Sequence, residues 1–238
     1  MKHLILLQYK YNSESNEILS AIKSIERHCK FDFELFLLGE GTPLRTDIPV
    51  IEGDKNEYKN CRAQHIRVAN DLLLACYKFQ NQYKDFLLTS DDMFFINDIS
   101  WPELCINKFN GEKILGNQYT PPTFWCRAKW RTGQFLKKQN LPTVDFTTHA
   151  PAVYNIQNLK NIINTYKLTT PPNDYTIEDL YGNIFVRYME PIEQWRKRFE
   201  NSVENVSCFQ KAKDNGIKFI NFAEINNINN YLQYIDIL

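Results

Sequence analysis

The sequence predicts an α/β fold, with a mostly parallel central sheet and helices on both faces. Three observations lead there. The first hundred residues run strand, helix, strand, strand, helix, strand, the order that builds a parallel sheet. The run His3 to Gln8 is continuously apolar in its middle, as in a strand covered on both faces. A long helix-patterned stretch around 57–79 passes at once into the strand-like DFLLTS.

In chain order, the strand at His3–Gln8 is followed by a helix that Asn12 or Ser13 would cap, with Ile18, Ile22 and Ile25 at helical spacing. DFELFLLGE (32–40) and IPVIEGD (48–54) read as strands, and the helix at 57–79 lines up Ile66, Ala69, Leu73 and Cys76. Beyond residue 100 the pattern predicts a short helix at 101–109, a strand KILGN at 113–117, a Pro-Pro turn, and a basic helix at 126–139. Two helices follow, near 156–167 and 176–189, the second opening with Thr176 and Asp179 at capping-box spacing. Pro191 then precedes a helix carrying WRKRF, a strand GIKFINF, and a polar, Asn-rich terminal helix. No Gly/Ser tract or internal repeat divides the chain, so residues 1–238 read as one domain.

Composition excludes several classes. At 43% hydrophobic and 24% charged the chain is ordinary globular material. Lys+Arg and Asp+Glu both number 28, so no global field draws the chain to nucleic acid or anionic membranes. The N-terminus offers four consecutive apolar residues before Gln8, too few for a signal-peptide core, and no run approaches the roughly 18 of a membrane span. A cytoplasmic, soluble protein is expected. The six cysteines lack metal-site spacing and read as free thiols. The excess of 16 Phe, 13 Tyr and 4 Trp suits clefts that stack ring-shaped ligands, as well as a core.

The chemistry concentrates at TSDDMFFI. Asp91 and Asp92 follow a strand and precede Met93-Phe94-Phe95, where two like charges against apolar residues are costly. A divalent cation would cancel the repulsion. Mg2+ and Mn2+ take oxygen ligands and leave positions for water and phosphate, and such a metal stabilises a departing diphosphate as a Lewis acid. The alternative is a turn cap at Asp91 and a solvated Asp92.

Several stretches resemble one family. LILLQYKYN, ILSAIKSIERHC and FELFLLGEG look like the opening of GT-A-fold nucleotide-sugar glycosyltransferases, and TSDDMFFI resembles their D-x-D-type metal motif. FTTHAPAVYN and DLYGNIF are similar to a His-x-Pro element and a Leu-Tyr-x-Asn helix of a bacterial and phage branch related to the Stealth-type capsular sugar transferases. The likeness spans roughly residues 3–190. It implies a GT-A-like fold with a nucleotide-binding half at 1–100 and an acceptor-side half at 101–238, a Mn2+ or Mg2+ cofactor, and a nucleoside-diphosphate sugar donor, with a UDP-sugar expected. In two respects the chain departs from the pattern. Met93 stands where many of these enzymes carry a third carboxylate, with Asp98 too distant to substitute, and spacing leaves open which of Asp91 and Asp92 binds metal and which the ribose.

The expected site follows. Asp91 and Asp92 anchor metal and donor, and His149 completes the metal set or acts as general acid or base. Tyr9 and Tyr11 stack on a base or pack in the core, and Gly39 and Gly41 let backbone approach the ligand. Lys59 and Arg62 reach the diphosphate or form a solvated face. Asp145, Asp174, Glu178 and Asp179 include the acceptor-activating bases, Asp145 and Asp174 foremost. The Trp-bearing basic segments at 125–138 and 195–198 suit a phosphate backbone, a sugar diphosphate or an anionic glycan, or form plain helix surface. The expected activity is sugar transfer to a hydroxyl on a glycan precursor or on a modified base in DNA. Transfer of sugar-1-phosphate and a non-catalytic sugar-nucleotide binding module are its rivals.

Overall fold

The computed structural model describes residues 2–10, 17–40, 47–53, 61–111, 114, 124–171, 175–200 and 207–223. Its elements are β1 (His3–Lys10), α1 (Glu17–His28), β2 (Phe33–Glu40), β3 (Val50–Glu52), α2 (Cys61–Phe79), β4 (Asp85–Ser90) and β5 (Met93–Phe95). There follow α3 (Trp101–Leu104), β6 (Asn107–Phe109), α4 (Phe124–Lys138), β7 (Ala152–Asn155), α5 (Ile156–Thr165) and α6 (Ile177–Phe185). The chain then runs through β8 (Met189–Pro191), β9 (Arg196–Glu200), α7 (Ser207–Asp214) and β10 (Phe219–Ala223).

The fold is α/β around a mixed, mostly parallel five-stranded sheet of order β3-β2-β1-β4-β7. β1 runs parallel to β2 and β4, β2 parallel to β3, and β7 antiparallel to β4. Both faces of β1 are dry. Ile5 and Leu7 face a core built with Ile18, Ile22 and Ile25 of α1, while Leu4 and Leu6 face a second core with Leu72 and Phe79 of α2 and Leu159 of α5. This is why the β1 sequence shows no alternation. Each fully buried isoleucine of α1 contributes about 1.5–3 kcal/mol. Glu17 in its first turn and Arg27 in its last complement the helix dipole.

A smaller sheet, β5-β10-β9, closes over the α1 face. Met93, Phe94 and Phe95, directly after the acidic pair, form β5 and are buried, Phe94 and Phe95 within this core. Chain segments from the second half thus complete sheets begun in the first, since β7 flanks β4 and β10 pairs with β5.

Two expectations are corrected. WRKRF is not helical: Arg196–Glu200 is β9, parallel to β10, and Trp195 before it is buried with its ring stacked 6.5 Å from that of Phe219. Tertiary pairing and burial outweigh local helix propensity here. The helix at 101–109 stops at Leu104, and Asn107–Phe109 becomes β6, paired with β8. The helix around 57–79 is described as Cys61–Phe79 and that at 176–189 ends at Phe185. The KILGN strand, apart from Ile114, and the terminal helix lie outside the described residues. No helix among the described residues is long and apolar enough to cross a membrane. Cys29, Cys76, Cys105, Cys126 and Cys208 are free thiols.

Candidate functional site

In an open parallel sheet, ligands gather outside the carboxyl ends of the strands where the strand order reverses direction. With order β3-β2-β1-β4, that point lies between β1 and β4. Gln8 pairs in register with Ser90 on one side and Leu38 on the other, and Asp91 N extends the ladder by donating to Gln8 O at 3.2 Å. The acidic pair therefore sits one step beyond the switch point, in the turn joining β4 to β5, half-buried. Ser90 Oγ donates to Asp92 Oδ1, which orients that carboxylate. Asp98 belongs to another place: it pairs with His28 Nδ1 at 3.1 Å and with Lys30 at 3.3 Å.

His149 reaches this region on the loop before β7, and α6 holds that loop in place. Asp179 Oδ1 accepts from Phe146 N at 2.7 Å. One helical turn on, Asn183 accepts from Val144 N and donates to Val144 O, both at 2.8 Å. Gly182, between them, leaves room for the Phe146 ring. Tyr181 Oη accepts from Asn155 N at 2.8 Å, at the end of β7. The DLYGN stretch is thus a clip that fixes the FTTHAP loop. Arg196 adds a second hold by donating to Thr148 O. Asn140, His149 and Lys167 have positive φ; the first and last follow α4 and α5 as helix ends do, whereas His149, at φ 46°, caps no helix. Such a conformation costs about 1–3 kcal/mol and persists only where its surroundings impose it.

Between the switch point and this loop lies a cavity of about 250 Å3, lined by Gln8, Ser90 and Met93 from the sheet region and by Trp125, His149 and Glu178 from elsewhere. The Trp125 ring lies 6.5 Å from His149 and 4.8 Å from His65 of α2. Burial pushes the His65 imidazole down to about 4, so it is neutral at physiological pH. Burial likewise raises the Glu178 carboxyl above the ordinary range, against the nearby Lys129 charge.

The structure therefore brings His149 into one cavity with Ser90 and Met93, the residues flanking Asp91 and Asp92. Asp145 is buried away in a network instead. Its Oδ2 accepts from Lys129 Nζ at 2.5 Å and its Oδ1 from Thr147 N at 3.0 Å and Thr147 Oγ1 at 2.5 Å, so both oxygens are engaged in holding the loop. Gly39, the last residue but one of β2, has φ 147°, a conformation that favours glycine. Tyr9 lies in β1 in register with Gly39, and Arg62 in the first turn of α2. Their side chains, together with Tyr11, Gly41, Lys59 and Asp174, are outside the described residues.

Several cations and rings of the basic segments are used internally. Lys129 pairs with Asp145, Arg196 grips the loop, and Trp195 donates to Glu190 at 2.9 Å with Lys108 over its ring at 4.3 Å. Arg127, Lys137, Lys138 and Lys197 remain exposed. Glu178 and Trp125 also line this cavity; the sequence places Glu178 behind Asp145 and Asp174 among candidate bases and Trp125 in a basic segment. Only the capping-box spacing around Glu178 hinted at a fixed position.

Among the described residues no group of three His, Cys, Asp or Glu side chains comes together in a way that could hold a metal ion. The donor chemistry at the switch point is two adjacent carboxylates, which suits a hard cation completed by water and phosphate oxygens. No protein-family model matches the chain, and no curated protein matches it.

Proposed function

We propose that the protein is a nucleotide-sugar-dependent glycosyltransferase that binds its donor at the carboxyl edge between β1 and β4. One observation carries this reading: two adjacent carboxylates stand at the switch point of the parallel sheet, between Ser90 and Met93, which line a partly open cavity of about 250 Å3. The motif likeness of TSDDMFFI, FTTHAP and DLYGN supports the same activity. On this reading Asp91 and Asp92 would hold Mn2+ or Mg2+, with His149 at the border of the same site. When bound, the cation supplies Lewis-acid stabilisation of the diphosphate. Ser90 keeps Asp92 aligned, and Gly39 gives the donor close access to backbone.

A thermal-shift series with nucleoside diphosphates and their sugars, with and without Mn2+, tests donor binding. A donor at 100 times its Kd stabilises by about 2.7 kcal/mol, which is about 5–10 °C in Tm for a chain of this size. Asp92→Asn is expected to fold normally, because its amide oxygen still accepts from Ser90, and to lose the manganese-dependent part of the shift. An unchanged shift removes Asp92 from the site. In turnover, release of nucleoside diphosphate supports sugar transfer and release of monophosphate supports sugar-1-phosphate transfer. Donor binding with no turnover on any acceptor leaves a binding module.

A further inference from the structure

Asp179 joins the helix that clips the His149 loop to the helix that carries Trp125. Thr132 Oγ1 of α4 donates to Ala128 O at 2.8 Å and accepts from Thr176 N at 2.9 Å. Thr176 Oγ1 stands 3.2 Å from Thr132 Oγ1 and 2.6 Å from Asp179 Oδ2. Thr132 has used its one proton on Ala128, so both of these contacts draw on the single proton of Thr176. A proton on Asp179 completes the count: the acid serves the 2.6 Å contact and Thr176 serves Thr132. An ionised Asp179 takes the Thr176 proton, and the hydroxyl pairing of α6 with α4 lapses. The charged surroundings favour the proton as well. Asp145, buried on the loop that Asp179 holds, is bound by Lys129 of α4 at 2.5 Å. Glu178 adjoins on α6, and the Tyr154 hydroxyl of β7 lies in the same field. A second buried anion beside Asp145 is unfavourable at low dielectric.

We propose that Asp179 is a proton-operated latch on the cavity: protonated, it keeps the 144–149 segment against α6, and on losing the proton it lets that segment swing away, taking Thr147, Thr148 and His149 from the cavity wall. The movement brings water to the new anion and parts it from Asp145. It also releases the backbone of His149 from its positive φ. Phe146 belongs to neither of the apolar cores that flank β1, so the segment moves without opening them. The latch stands without the transferase reading; that it regulates donor binding rests on that reading. Burial, and after it the Asp145 charge, raises the Asp179 carboxyl to about 7 against its hydrogen bonds, whereas a carboxyl in water ionises near about 4. Between these values the closed segment holds a proton that the open one has released. Opening is therefore expected to grow about tenfold per pH unit over this interval and to level off above about pH 7.

Amide hydrogen exchange of the full chain between pH 5 and pH 8, corrected for the intrinsic rate, reads the latch. The probes are the Phe146 and Val144 amides, which α6 holds, with Ile5 and Leu6 of β1 as reference. Phe146 and Val144 are expected to exchange through an easier opening than β1 does, with protection falling about tenfold per unit up to about pH 7. Asp179→Asn has no proton to lose and is expected to flatten this profile; any slope that remains belongs to Glu178, whose carboxyl burial also raises. Exchange of Phe146 and Val144 only in step with β1, or a profile unchanged in Asp179→Asn, overturns the latch. Should the variant not fold, the comparison with β1 in the parent decides alone. Repeating the parent profile with UDP-glucose and Mn2+ tests what the latch regulates. At about ten times its Kd, a ligand that needs the closed wall slows Phe146 exchange about tenfold. A thermal shift with this ligand but no slowing overturns the regulation of donor binding. No thermal shift, with the pH profile as expected, rejects the transferase reading and upholds the latch, so the two failures are distinguishable.

Discussion

Gly182→Ala is expected to destabilise the protein by about 2–3 kcal/mol and to deform the candidate site at the same time. A methyl at this position would come within 2.6 Å of Phe146 Cε2 and closer still to Cγ and Cδ2 of the same ring. In an exposed helix the same change would be stabilising by about 1 kcal/mol, because alanine is the better helix former. Here the ring is buried and belongs to the segment pinned by Asp179, so it has little freedom to retreat. Overpacking of this kind typically costs 1–3 kcal/mol, and the contact is unusually close. Phe146 also lines the cavity, so ligand affinity should fall along with Tm. A thermal melt of Gly182→Ala and of Gly182→Ala with Phe146→Leu checks the cause: the second change should recover part of the loss through coupling between touching residues. A Gly182→Ala protein as stable as the parent would remove the packing argument.

Asp179→Ala is expected to have the largest effect on stability, about 4 kcal/mol near pH 5. Asp179 is fully buried, with Oδ1 accepting from Phe146 N at 2.7 Å and Oδ2 accepting from Thr176 Oγ1 at 2.6 Å. Its removal strands buried donors, each costing about 1–3 kcal/mol. Burial pushes the Asp179 carboxyl up to about 7, assisted by the Asp145 charge and opposed by the hydrogen bonds from Thr176 and Phe146. The sign of the pH dependence follows from this raised value. Between about pH 4, where the unfolded carboxyl ionises, and about pH 7, where the folded one does, the folded state holds a proton that the unfolded state has released. Stability contributed by Asp179 is therefore full below pH 4 and declines as pH rises to 7, by on the order of 3 to 4 kcal/mol. Asp179→Asn keeps an acceptor for Phe146 and cannot ionise. Denaturant titrations at pH 5 and pH 8 should show the parent losing more stability than Asp179→Asn over that interval. Equal losses would show that Asp179 does not carry the effect.

The acidic pair and the fold around it were legible because their signals are local. Apolar continuity in HLILL marks a strand covered on both faces, and Ile18, Ile22 and Ile25 mark one face of α1. A carboxylate pair directly after DFLLTS must sit at a strand end, whatever packs elsewhere. WRKRF failed for the opposite reason. Its residues have adequate helix propensity, but Trp195 is buried beside Phe219 and the backbone of 196–200 pairs with β10, which lies more than twenty residues further along. Asp145 looked like a loop base, yet its partner Lys129 stands sixteen positions away in sequence on α4.

The sequence by itself determined the α/β class, the order of the first strands and helices, and the position of two adjacent carboxylates at the end of β4. These follow from side-chain periods of two to four residues and from what must precede and follow a strand. Only the tertiary structure decided that α6 clips the His149 loop through Asp179 and Asn183, across separations of 33 and 39 residues. It alone turned Glu178 and Trp125 into one cavity and withdrew Asp145 into an ion pair. The physical reason is that burial and hydrogen-bond partnership depend on which distant segments the sheet order brings together, and no local pattern encodes that.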